Sequence, residues 1–154
     1  MKFKATKLCA FAFAFALMFL TLGSAAAQTE SRNAETTAAR VPLENYIKAH
    51  ATGKPEFVRQ AFLPEARIMA FRDDKLISMT VEEFAALFKG APAPDEAQRA
   101  RRVEMLDISG SAAVAKIVLD YPTIKFTDYM SLLKINGEWK IVNKSFYAEP
   151  KTTK

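Results

Sequence analysis

A single histidine, His50, stands in this chain, and the other side chains suited to moving protons are carboxylates and tyrosines. Leu43, Tyr46, Ile47 and His50 recur at the helical spacing i, i+3, i+4, i+7, so the imidazole shares an apolar face turned toward a core or pocket. Far along the chain, two apolar runs flank Asn136-Gly137, a dipeptide suited to a tight hairpin because both central residues of a type I′ turn need positive φ. A two-residue turn pairs Ile135 with Glu138. One strand face then carries Phe126, Asp128, Met130 and Leu132 beside Trp139, Ile141, Asn143, Ser145 and Tyr147. The opposite face carries Tyr129, Ser131 and Leu133 beside Lys140, Val142, Lys144 and Phe146. The first face is apolar near the turn and polar at its far end, as a small-molecule pocket requires. Tyr46, His50, Asp128, Trp139, Asn143, Ser145 and Tyr147 are therefore the candidate pocket residues. Two roles for His50 stay open: a core histidine held by a carbonyl or carboxylate, or an acid–base partner oriented by Asp128.

Other chemistries are excluded by residue type. One cysteine, Cys9, rules out an internal disulfide framework and any CxxC site, and one histidine rules out a His-rich metal centre. There is no Gly-rich phosphate loop and no serine nucleophile elbow, so neither a metal nor a cofactor is expected. Arg99, Arg101 and Arg102 read as a solvated strand end, since no aromatic residues interleave with them for nucleic-acid stacking. Asn143-Lys144-Ser145 matches a glycosylation sequon but falls in mid-strand, where chance explains it better.

The positioning elements begin after a leader. Lys2, Lys4 and Lys7 precede an uncharged Phe/Ala/Leu run from Leu8 to Leu22, and Ala25-Ala26-Ala27 offers a small-residue cleavage site. This order predicts a signal peptide over 1–27, cut before Gln28, rather than a membrane anchor, and a secreted or periplasmic protein. The 154 residues with net charge +5 would then become 127 residues with 19 basic and 17 acidic side chains, net +2. The charge argument for nucleic acid or a membrane surface goes with the leader. Residues 28–40 hold little to bury and predict a disordered lead-in, with a domain over 41–151.

Within that domain, helices are expected up to Gly53, from Pro55 to Pro64, and from a Thr80/Glu83 capping box to Gly90, with Phe84, Leu87 and Phe88 facing inward. Strands are expected at 66–72, 76–78, 101–108, 112–121, 125–135 and 138–148. Helices first and antiparallel strands last predict an α+β fold, a curved sheet with three helices on one side.

The residues Tyr46-Ile47 through Gly53, Ala61-Phe62-Leu63-Pro64-Glu65-Ala66, Leu119-Asp120-Tyr121-Pro122 and Phe126 through Lys144 carry a resemblance. Val41 to Lys151 resembles the nuclear transport factor 2-like superfamily, and within it the small secreted bacterial proteins labelled "putative lumazine-binding". The resemblance implies a cone-shaped (cystatin-like) fold, a pocket between sheet and helices, and a homodimer. It departs at Leu63, where relatives often carry histidine. It implies no single activity. Three functions fit: binding of a small, partly apolar molecule; a cofactor-independent isomerase, dehydratase or cyclase using Asp128 with His50 or Tyr147; or a dimeric assembly module with a residual pocket.

Overall fold

The structure is a computed structural model that describes residues 8–152, with side chains from residue 27 onward. The chain divides into two units, residues 1–35 and 36–154. Most of the expected signal peptide lies outside the residues whose side chains are described. The order of elements is α1 (Leu8–Thr52), α2 (Pro55–Ala61), β1 (Phe62–Arg72), β2 (Lys75–Thr80), α3 (Val81–Ala85), a 3-10 turn (Glu96–Gln98), β3 (Ala100–Ser109), β4 (Ala112–Asp120), β5 (Ile124–Ile135) and β6 (Glu138–Pro150). Residues 28–40, expected to be disordered, are helical within α1, and Ala39 is fully buried. The apolar spacing starts one turn earlier than Leu43: Ala39, Leu43, Tyr46 and His50 form one stripe, and Pro42 sits inside the helix.

Local chemistry sets most of the boundaries. Gly53 ends α1 at φ +69, a left-handed conformation natural to glycine. Pro55 opens α2 at a position where its missing N–H costs nothing. Thr80 and Glu83 form the expected capping box: Glu83 N donates to Thr80 Oγ1 at 3.2 Å, and Thr80 N donates to Glu83 Oε2 at 2.7 Å. That helix is shorter than expected. It ends at Ala85, and Leu87 is exposed rather than inward. Asn136 and Gly137 take φ 51 and 87, as the hairpin demands.

The six strands form one sheet in the order β2-β1-β6-β5-β4-β3. All neighbours are antiparallel except β1 and β6, which run parallel. The curved sheet expected from the order of elements, and the cone implied by the resemblance, are not what forms. The sheet is open: β2 and β3 are its two edges, no ladder joins them, and the three isolated register irregularities do not bring them together. The fold is otherwise the expected α+β arrangement with three helices. One sheet face packs against α1, α2 and α3 around Leu43, Tyr46, Phe62, Ile68, Ile117, Leu119, Met130, Leu132 and Ile141. The other sheet face carries Phe71, Leu76, Met105, Val114, Tyr129, Leu133 and Tyr147, all exposed.

Candidate functional site

The site is built on a slip in the last hairpin. The ladder pairs Leu132 with Ile141 but Ser131 with Asn143, so Val142 is an extra residue without a partner. Such a bulge exchanges the faces of everything beyond it. Asp128 therefore stands opposite Phe146, and Met130 opposite Lys144, on the helix-facing side. Asn143, Ser145 and Tyr147 move to the outer side, where Tyr147 is 65% exposed. These three do not line the pocket with Asp128 as the unbroken register predicted. Trp139 lies before the bulge and stays inward, but it lines a different hollow, of about 410 Å³, with Ala38, Val41 and Asn45.

Beneath the helices, Asp128 and Lys144 are buried together. Tyr46 Oη donates to Asp128 Oδ2 at 2.5 Å, and Lys144 Nζ donates to Tyr46 Oη at 2.7 Å. Lys144 Nζ also stands 3.2 Å from Asp128 Oδ1, a charge contact without good hydrogen-bond angles. The rings of Tyr46, Phe84 and Phe146 surround the ammonium at 5.0, 5.0 and 4.6 Å from their centroids. Burial lowers the Lys144 pKa, and Asp128 opposes that shift. Burial, with the Asp128 charge and hydrogen bond, raises the Tyr46 pKa well above its usual value.

One helical turn on, His50 belongs to a second network. Its ring meets Tyr46 edge-on at 4.7 Å between centroids, yet its hydrogen-bond partner is Tyr121, with Oη 3.1 Å from Nδ1. Arg101 Nε donates to the same Oη at 3.2 Å, and Arg101 Nη2 donates to the His50 carbonyl at 3.2 Å. Glu96 holds that guanidinium from both oxygens, at 2.5 and 2.8 Å. Arg101 is thus a buried anchor at 5% side-chain exposure, not a solvated strand end. Burial, followed by the positive charges of Lys144, Arg101 and Arg99, pushes the His50 pKa well below its usual value, so the ring is neutral at pH 7. The expected His50–Asp128 pair does not form, because Tyr46 and Lys144 take the carboxylate and Tyr121 takes the imidazole.

His50 also lines a cleft of about 440 Å³ with Gly53, Phe84, Leu87, Phe88, Pro92 and Arg99 among its walls. The segment after α3 forms one side. It is docked to the end of α1 by Gly90 N, which donates to the Gly53 carbonyl at 2.7 Å. A Cβ on Gly53 would lie 1.9 Å from the Ala91 carbonyl oxygen, so glycine is needed there for space as well as for φ. His50 Nε2 is shut off from solvent and has no partner. Arg99 closes the rim, stacked 4.3 Å over the Tyr121 ring and paired with Asp95 at 2.8 Å.

The geometry thus brings together Tyr46, His50 and Asp128, and adds Lys144, Tyr121, Arg101 and Arg99. Lys144 could be reached from sequence only by knowing of the bulge, and no glycine or proline marks Val142. Tyr121 and Arg101 are joined across adjacent strands, since Arg101 pairs with Leu119 two residues from Tyr121. Among the described residues, no cluster of three or more His, Cys, Asp or Glu could hold a metal ion. No described helix is long and apolar enough to cross a membrane.

Comparison with known proteins gives a consistent fold. A family profile described as "Putative lumazine-binding" matches residues 34–147. An NTF2-like protein of unknown function from Shewanella baltica superposes with TM-score 0.69 at 27% identity, over 76% of this chain and 95% of its own. Another, from Methylobacillus flagellatus, gives 0.65 at 28% identity, over 75% and 92%. Among curated proteins, Aldolase FrzH of a Cladobotryum species is 20% identical over 108 residues, 69% of this chain and 85% of that protein.

Proposed function

This chain belongs to the family described as "Putative lumazine-binding", with an NTF2-like, small-molecule-binding domain, and on that footing we propose that its ligand site is the cleft beside His50. The ligand is a small, partly apolar molecule held without metal or cofactor. The observation that carries this reading is a cleft of about 440 Å³ with Phe84, Leu87, Phe88 and Pro92 in its walls and His50 beside them. An apolar enclosure with few polar groups is what small-molecule sites share. The Tyr46–Asp128–Lys144 network ties α1, which carries both Tyr46 and His50, to β5 and β6.

The protein acts outside the cytoplasm, with its leader cut before Gln28, and it pairs with a second copy through the outer sheet face. Tyr129, Leu133, Tyr147 and Val114 supply the apolar surface for that contact. Native mass spectrometry of protein purified from its own periplasm tests the three statements together. The expected result is a dimer of chains beginning at Gln28, each with one retained small molecule. Ala93 also lines the cleft, and Ala93→Trp, which fills it, abolishes retention. A monomer sinks the pairing, an uncut chain sinks the location, and retention unchanged by Ala93→Trp sinks the cleft.

A second reading, a proton-transfer enzyme acting on a carbonyl compound, is favoured by the similarity to Aldolase FrzH. Asp128 does not fit as its base, because it is fully buried against Tyr46 and Lys144. Tyr147 does not fit either, on the outer sheet face. His50 lines the cleft, but its Nδ1 is taken by Tyr121 and its Nε2 is shut off from solvent, so the binding reading is the stronger one.

A further inference from the structure

Pro42 stands well inside α1, where proline is costly: it removes a helical hydrogen bond, and its ring crowds the carbonyl one turn back. That carbonyl belongs to Ala38, and Pro42 has no N–H to give it. Ala38 and Pro42 both line the hollow of about 410 Å³ beside Trp139, which shares no lining residue with the His50 cleft. The facing walls are the β5–β6 hairpin at Gly137 and Trp139 and the end of α2 at Gln60. Val41, between Ala38 and Pro42, is apolar yet 56% exposed. Lys140 brings no free cation, because its Nζ donates to the Gln60 carbonyl at 3.2 Å and stands 3.5 Å from Glu138 Oε2. Asn45, one turn further along α1, supplies an amide that can turn either way. What remains is apolar surface and a backbone oxygen that can only accept.

We propose that this hollow is a second binding site, for a small molecule that gives an N–H to the Ala38 carbonyl and rests a compact apolar body on Val41 and Pro42, within reach of Trp139. It is independent of the His50 cleft. The ligand class follows from the acceptor. A carbonyl oxygen accepts from an amine or a primary or secondary amide, and it gains nothing from an ether, an ester or a tertiary amide. Charge does not decide, since Glu138 and Lys140 offset each other at the wall. In an unbroken helix the Ala38 oxygen would be spent on the backbone N–H of residue 42. The proline is what leaves it available. A local rule broken on a concave surface is where a functional site is expected.

Trp139 is the only tryptophan in the chain, so its fluorescence reports on this hollow. Two probes share one body: 2-phenylacetamide, which carries N–H groups, and N,N-dimethyl-2-phenylacetamide, which keeps the carbonyl and has none. Affinities are measured by equilibrium dialysis while the Trp139 emission is followed. The primary amide is expected to bind about fivefold more tightly than the tertiary one, the net worth of one hydrogen bond, and to shift the emission. Pro42→Ala restores the backbone N–H, closes the helical bond to Ala38 and is expected to remove the preference. Alanine suits a helix interior better than proline, so urea unfolding should show a variant at least as stable as its parent, and a lost preference is not a lost fold. A preference that survives Pro42→Ala is one of size and overturns the proposal. Equal affinities overturn it too, as do binding that leaves the Trp139 emission unchanged and absence of binding by both probes. None of these outcomes touches the His50 cleft.

Discussion

Lys144→Met tests the core of the site. The substitution keeps the length of the side chain and removes the ammonium that contacts Asp128 Oδ1 at 3.2 Å and donates to Tyr46 at 2.7 Å. Asp128 is fully buried and would keep only Tyr46 as a partner. Breaking a buried ion pair from one side costs about 3–5 kcal/mol, against a total stability of about 5–15 kcal/mol for a domain. The expected loss is therefore about a fifth or more of the folding free energy. Urea unfolding followed by the fluorescence of Trp139, the only tryptophan and 4% exposed, measures it directly. Adding Asp128→Leu removes the stranded charge, so the double variant is expected to be more stable than Lys144→Met alone. The Tyr46 hydroxyl, then orphaned, costs about 1–3 kcal/mol, and Tyr46→Phe in the triple variant recovers it. This non-additivity is the signature of one coupled network. A loss below about 1 kcal/mol for Lys144→Met, in a range ordinary for exposed pairs, would refute the buried pair. So would single losses that simply add in the double variant.

The remaining predictions concern the rim and the cleft. Burial, and after it the positive charges of Lys144, Arg101 and Arg99, holds the folded pKa of His50 well below the unfolded value of 6.5. Below that pH the unfolded chain takes up a proton that the folded one refuses, and stability falls as pH falls, by up to about 1.4 kcal/mol per pH unit. His50→Gln should flatten this slope relative to the unsubstituted protein in urea melts from pH 7 to 5, and equal slopes would refute it. Gly53→Ala forces a side chain into a left-handed conformation and against the Ala91 carbonyl, and should destabilise by more than about 1–2 kcal/mol. It should also displace the segment after α3, seen as loss of the retained molecule in native mass spectrometry; a variant as stable as its parent would disprove the close approach.

Much of this arrangement was legible in the residues, and the reason is locality. The Asn136-Gly137 turn, the Thr80/Glu83 capping box, the Gly53 stop and the turning of His50 toward the interior each depend on a few neighbouring residues and their backbone preferences. Apolar periodicity gave the α+β order of elements for the same reason. Residues 28–40 misled because their weak apolar signal, Ala39, matters only once Leu43 and Tyr46 extend its stripe across the sheet.

The chemistry of the site was decided elsewhere. A one-residue slip at Val142 leaves the turn untouched but exchanges the faces of Asn143 through Tyr147, bringing Lys144 and Phe146 inward. Nothing near Val142 requires the bulge. It is stabilised by what it buries: Lys144 between Asp128 and three aromatic rings drawn from different elements, Tyr46 among them. The open sheet is likewise a property of which strands pair, β1 with β6 in parallel, and not of any strand alone. Sequence by itself determined the elements and placed Tyr46, His50 and Asp128 toward the interior. Only the tertiary structure decided that the aspartate belongs to a lysine, and that the histidine belongs to Tyr121, because both partnerships join residues more than ten positions apart, through burial and hydrogen-bond geometry that no local pattern records.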